Sequence, residues 1–307
     1  GFDIKPVIIG PVTYLWLGKS KDGSDKLDLL DDLVSSYALL LHELNDLGIQ
    51  WVQIDEPILV MELSQKWKHA LRKAYFQLQN TSINLLVATY FGQLQDNLQL
   101  ACELPVNGLH LDAITAKDEV AKIVDWLPSH KVLSLGIVNV LNIWKTDLTQ
   151  TLDRLEPIHL RLQDRLWIAP SCSLLHVPVD LNSEQNLDSD IHSWLAFAIQ
   201  KVDEVNILAK ALNHGRKAVT KQLQDNAAAI HNRKHSKRTH NESERKRALG
   251  INDAIGLRQS PYQKRATLQQ KKFNLPLYPT TTIGSFPQTR VIRQARQDLR
   301  AGTLSES

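Results

Sequence analysis

Along the chain, short unbroken apolar runs alternate with longer stretches in which large apolar residues recur every three or four positions. Val7-Ile8-Ile9-Gly10 is one such run, stopped by Pro11. Over residues 28–47, Leu29, Leu33, Leu40, Leu44 and Leu47 fall at helical spacing ahead of Gly48, so the pattern predicts a strand and then a helix. The alternation recurs. Residues 51–55, 83–90, 108–112, 131–138 and 166–171 read as further strands, with helices between them such as 117–127. Near-continuous apolar strands separated by helices predict an α/β fold with a parallel sheet buried on both faces. If that sheet belongs to an eight-stranded TIM (β/α)8 barrel, two strands are missing, and functional residues lie at the strand carboxyl ends. The most regular stripe spans 183–213, where Leu187, Ile191, Trp194, Leu195, Ala198, Val202, Val205, Leu208 and Leu212 predict one helix ending before Gly215.

From His214 to about Asn274 the large apolar residues thin out and basic and amide residues take over. This change predicts a first domain over 1–213, a basic, largely helical linker over 214–278, and a new element from 279. The run His231-Asn232-Arg233-Lys234-His235-Ser236-Lys237-Arg238-Thr239-His240 and the later Arg245-Lys246-Arg247 invite a nucleic-acid reading. No aromatic residue interleaves these charges, and Glu242 and Glu244 interrupt them, which argues for a solvated segment and no nucleic-acid partner.

Composition narrows the class without naming a chemistry. With 307 residues, 43% hydrophobic and 22% charged, the chain is large enough for one complete domain and more. A net charge of +3 is too small to specify a partner. The two cysteines, Cys102 and Cys172, lie outside any Cys-x-x-Cys spacing, which points away from disulfides and a self-contained zinc site and toward a cytoplasmic setting. No apolar run has the length of a membrane span. Gly1 to Lys5 show neither an initiator Met nor a signal-peptide pattern, so the sequence is expected to be an internal piece of a longer protein.

Several residues could carry chemistry. Asp55 and Glu56 close the second strand, and because adjacent strand residues point to opposite faces, at most one of them faces inward. Asp55 is expected to be structural and hydrogen-bonded to neighbouring backbone. His110 and His176 fall at or near strand ends and read either as a metal pair or as satisfied polar histidines, with no third donor in view. Cys172 reads as a reactive thiol or as a packed small hydrophobe.

The ordered motifs are more specific than any single residue. They are Gly10-Pro11-Val12-Thr13-Tyr14-Leu15-Trp16-Leu17, Trp51-Val52-Gln53-Ile54-Asp55-Glu56-Pro57, Ala88-Thr89-Tyr90-Phe91, Gly108-Leu109-His110-Leu111-Asp112 and Ser171-Cys172-Ser173-Leu174-Leu175-His176. Near the end comes Pro279-Thr280-Thr281-Thr282-Ile283-Gly284-Ser285-Phe286-Pro287-Gln288-Thr289. Together they resemble the cobalamin-independent methionine synthase family, over nearly the whole chain.

That family has two barrels that look like duplicates, and it moves a methyl group from methyltetrahydrofolate polyglutamate to homocysteine with zinc and without cobalamin. The resemblance implies that 1–213 is the amino-terminal barrel lacking its first two β/α units, that 214–278 is the linker, and that 279–307 opens the catalytic barrel. It also implies that chemistry is absent from the first barrel. Where the catalytic barrel has its zinc ligands, His-x-Cys, Glu and Cys, this barrel has Val87 and Thr89, Asp112, and Cys172. Asn142-Ile143-Trp144 stands in place of the stretch bearing the catalytic His, and Met61 in place of a Glu. Catalytic residues and metal ligands are therefore expected to be missing. By the same resemblance Ile283, Gly284 and Ser285 hold the amino-acid part of homocysteine or methionine, the glycine allowing close approach and the serine hydroxyl and amides meeting the carboxylate. Two roles stay open: part of the methyltransferase, inactive alone, or a non-catalytic barrel that binds the folate tail or supports a separate catalytic chain. In either role, basic linker residues could lie near the anionic folate tail.

Overall fold

All six expected strands form, and they pair in parallel in chain order: β1 Val7–Ile9, β2 Trp51–Asp55, β3 Asn84–Thr89, β4 Gly108–Asp112, β5 Val132–Val138 and β6 Leu166–Pro170. The computed structural model describes residues 4–280 and 288–304, and the chain divides into two compact units, Gly1–His240 and Asn241–Ser307. In the first unit the crossovers carry α1 Pro11–Leu17, α2 Leu30–Asp46, α3 Gln65–Leu78, α4 Leu98–Glu103, α5 Val120–Trp126 and α6 Leu148–Leu162. After β6 come α7 Ser189–Trp194, α8 Ala198–His214 and α9 Thr220–His235. A six-stranded parallel sheet built by repeated β–α units is consistent with part of a TIM-like barrel.

Register explains why the strands read as apolar runs. Ile8, Ile54, Val87, Leu109, Leu133 and Leu166 pair across the sheet in one row, and this row packs into the core beneath the helices. Paired residues share a face and the next residue points the other way. The neighbouring row is Ile9, Asp55, Ala88, His110, Ser134 and Trp167. That inner face carries small and polar groups. It is less covered than two-sided burial predicted: Trp51, Gln53 and Asp55 are half-buried, whereas Val52 and Ile54 between them are fully buried.

The expected single helix over 183–213 is interrupted. Its first part is only α7, and Leu195-Ala196-Phe197 is extended, with Leu195 forming an antiparallel bridge to Trp144 before α8 begins. Lys145 N donates to Trp194 O at 2.9 Å and Ala196 N to Ile143 O at 2.8 Å, so the backbone bonds of the break are satisfied by another segment. Trp194, Leu195 and Phe197 are all buried, so the apolar stripe runs on through the break.

Because α9 packs on the first unit, burying Val219, Asn226, Ala229 and Ile230, that unit extends to His240. Asn226 ties α9 to the start of α6, accepting from Leu148 N at 3.1 Å and donating to Thr146 O at 2.9 Å. Much of the basic run is used here: Arg233 lies 4.7 Å over the Trp144 ring, and Lys234 and Arg238 pair with Asp147 and Asp188. The second unit contains α10 Glu242–Leu249, α11 Tyr262–Phe273 and α12 Arg290–Arg300, whose first turn is capped by Thr289. Among the described residues, no helix is long and apolar enough to cross a membrane.

Candidate functional site

The two carboxylates that end β2 have opposite fates, because alternation sends them to opposite faces. Glu56 turns into the helix layer and is completely buried. Its Oε1 accepts from Val12 N at 3.3 Å and Tyr75 OH at 3.1 Å, and its Oε2 accepts from Thr13 N at 2.8 Å and Thr13 Oγ1 at 2.5 Å. Val12 and Thr13 lie in the first turn of α1, whose N-cap, Gly10, has no side chain to offer. Glu56 therefore caps α1 from another strand, which joins the Gly-Pro-Val-Thr and Asp-Glu-Pro motifs into one structural device. Glycine at position 10 is required by this contact, since a Cβ there would sit 2.1 Å from Glu56 Cδ. Burial pushes the Glu56 carboxyl up to about 7, although all four hydrogen bonds favour its charged form.

Asp55 faces inward. The expectation of backbone partners is corrected here: Oδ1 accepts from Gln53 Nε2 at 2.8 Å and Oδ2 from Tyr90 OH at 3.0 Å, both side chains on the same inner face. Burial, with the Asp55 charge, raises the Tyr90 phenol far above its ordinary value, so it stays a neutral donor.

Asp112, at the end of β4, has the backbone role expected of Asp55. Oδ1 accepts from Ile114 N at 3.0 Å and Thr115 N at 3.1 Å, and Oδ2 from Thr115 Oγ1 at 2.7 Å and Phe91 N at 3.2 Å. Phe91 is held at φ 73°, a left-handed conformation that costs a non-glycine residue about 1 kcal/mol or more. Its ring meets Tyr90 edge-on at 4.7 Å and His176 at 5.4 Å, giving an aromatic border beside Asp55.

The two histidines occupy separate settings. His110 is buried on the inner face with Nδ1 2.9 Å from Ser134 Oγ, and burial lowers it to about 4, which keeps it neutral. His176 belongs to the aromatic border. Cys172 packs with Val140, Val177 and Tyr90, and burial raises its thiol, which disfavours the reactive thiolate. Ile283, Gly284 and Ser285 lie outside the described residues.

The donor set of this sheet does not fit a catalytic zinc ion. Val87 belongs to the helix-facing core row, and Thr89 Oγ1 donates to His110 O at 3.0 Å, so neither position points to the inner face as a ligand pair would. Both oxygens of Asp112 are engaged by backbone and hydroxyl donors. Among the described residues no three His, Cys, Asp or Glu side chains converge as a metal site. What the strand ends present is a carboxylate held by two neutral side-chain donors beside an aromatic edge, with no activated nucleophile among the described residues.

Sequence reasoning missed the Glu56 cluster, because its motifs are far apart in the chain and were read separately. It also missed Tyr90 as the partner of Asp55, and the buried lysines. Lys131 Nζ donates to the carbonyls of Cys102 and Leu104, closing the end of α4, and Lys201 Nζ to Trp144 O at 3.0 Å. A lone lysine in a strand or helix carries no sequence mark of such a role.

Comparison with known proteins adds the lineage. Residues 1–163 match the model of the cobalamin-independent synthase N-terminal domain, and residues 278–307 match that of the cobalamin-independent synthase catalytic domain. Among solved structures, the chain is similar to a putative vitamin-B12 independent methionine synthase from Listeria monocytogenes, with 12% identity, a TM-score of 0.45, and coverage of 68% of this chain and 63% of that one. A B12-independent methionine synthase from Shewanella sp. W3-18-1, solved in complex with selenomethionine, has 15% identity and a TM-score of 0.45, covering 71% and 62%. A methyltransferase from Methanosarcina mazei has 16% identity and a TM-score of 0.40, covering 56% and 54%. The chain thus spans less than two thirds of the length of these relatives. With the N-terminal-domain model matched over more than half of its length, this chain belongs to the cobalamin-independent synthase family.

Proposed function

We propose that this chain is part of a cytoplasmic, zinc-dependent methyltransferase that makes methionine from homocysteine and 5-methyltetrahydropteroyltri-L-glutamate, and that it is inactive alone. The observation that carries the reading is the order of the two matches: an N-terminal domain and then the opening of a catalytic domain within one chain. On this reading the six strands are the third to eighth of an amino-terminal (β/α)8 barrel, and the segment after 278 begins the catalytic barrel. Ile283, Gly284 and Ser285 form one wall of the pocket for the amino-acid part of homocysteine or methionine. The first barrel contributes support and contacts to ligand, and the zinc and the thiolate chemistry belong to the second.

Metal analysis after dialysis tests the division of labour. A single thiolate cannot hold Zn²⁺ against water and buffer, so the purified chain is expected to retain far less than one equivalent. Stoichiometric zinc that disappears in Cys172→Ser would place a metal centre in the first barrel and overturn the proposal.

A further inference from the structure

The last turn of α9 carries two histidines that neither the fold nor the proposed function uses. His231 and His235 are four residues apart on one helix, so their side chains rise from the same face. Their rings stack with centroids 4.0 Å apart and 27° between planes. His235 Nδ1 lies 2.9 Å from the His231 carbonyl oxygen. A carbonyl can only accept, so Nδ1 carries the proton and Nε2 keeps its lone pair. This is the usual arrangement of a metal-ligating histidine, one ring nitrogen donating to a carbonyl and the other left to bind.

The surroundings leave room for an ion. Helical side chains lean toward the N-terminus, and the turn that these rings overlie carries only the small, exposed Ala227 and Ala228. The cations of the same run are largely engaged elsewhere: Arg233 lies over the Trp144 ring, Lys234 pairs with Asp147 and Arg238 with Asp188. We propose that His231 and His235 chelate an exchangeable divalent transition metal, one ring nitrogen from each, with copper(II) held most tightly. The stacked rings converge on one ion by splaying about χ2, a torsion that is broad in histidine. Two neutral nitrogens select copper, nickel and zinc over magnesium and calcium, which take oxygen ligands. Among the described residues no group of three His, Cys, Asp or Glu converges, so solvent completes the coordination. Such a two-ligand ion does not survive dialysis, and the site is independent of the methyltransferase reading.

The test is calorimetric titration of the purified chain with Cu²⁺ at neutral pH, with electron paramagnetic resonance of the bound ion. The proposal expects saturable binding of one equivalent, coupled to two imidazole nitrogens, with Zn²⁺ weaker and Mg²⁺ without effect. His231→Ala or His235→Ala should each weaken Cu²⁺ roughly tenfold or more, because a second ligand on the same turn binds at high effective concentration. His69→Ala on α3, where no other histidine stands one turn away, should leave the affinity unchanged. All three positions are exposed, so the variants should keep the parent melting curve. Absence of saturable Cu²⁺ binding, coupling to a single nitrogen, or an equal effect of His69→Ala would overturn the proposal.

Discussion

Replacing Glu56 by Gln tests whether this buried carboxyl holds the first helix on the sheet. The side chain keeps its size but loses an acceptor. With its oxygen retained for Val12 N and Tyr75 OH, its amide nitrogen faces the Thr13 N–H, which Glu56 Oε2 now accepts at 2.8 Å. Thr13 Oγ1 can rotate to accept, but the backbone N–H cannot, and a buried donor left unpaired costs about 1–3 kcal/mol. For a unit of this size each kcal/mol shifts the melting temperature by about 2–4 °C, so Glu56→Gln should melt roughly 2–12 °C below the parent. Gly10→Ala should do at least as much harm, since its methyl carbon would occupy the space of Glu56 Cδ at 2.1 Å. The assay is thermal unfolding by circular dichroism at mildly acidic pH. If Glu56→Gln melts within about 1 °C of the parent, the carboxyl does not support α1 and the reasoning fails.

The same residue sets a pH dependence. Its folded value of about 7 lies above the ordinary 4.5, so the folded protein binds the proton more tightly, and the stabilisation is full below about pH 4.5 and lost as pH rises through about 7. The stability gap between parent and Glu56→Gln should therefore narrow from about pH 5 to about pH 8, and a widening gap would show that the ionised form is preferred. Asn226→Ala removes two hydrogen bonds that join α9 to α6 and should cost about 1–3 kcal/mol in urea unfolding. Unchanged stability would mean that α9 is a detached linker after all.

The sheet was legible because the pairing register leaves one row fully buried on β2 to β5, Ile54, Val87, Leu109 and Leu133, and partly buried at Ile8 and Leu166 on the outer strands, and a buried row is what an apolar run records. Strand ends agreed within a residue or so for the same reason. The break at Leu195 was hidden because extended and helical residues there bury against the same surface, and periodicity responds to burial and not to backbone conformation. The packing of α9 leaves little mark in the composition, because α9 buries few side chains, one of them the polar Asn226, and composition counts that as solvent-facing. At the strand ends, motif spacing identified Asp55, Asp112 and Cys172 as residues of note but could not assign their partners. Which acid meets backbone and which meets a tyrosine depends on loop geometry after β3 and β4, and Phe91 in its left-handed conformation leaves no trace in sequence pattern.

The central claim, that the chemistry lies in the second barrel, is most directly tested by methionine formation in a protein in which this chain is restored to a complete two-barrel enzyme. Given homocysteine and methyltetrahydropteroyltriglutamate, the present chain alone should form no methionine and the restored protein should. Within it, Ser285→Ala should weaken homocysteine use, and Cys172→Ser, which alters a packed thiol, should leave turnover nearly unchanged. Equal loss from the two substitutions would contradict the account and return a chemical role to the first barrel.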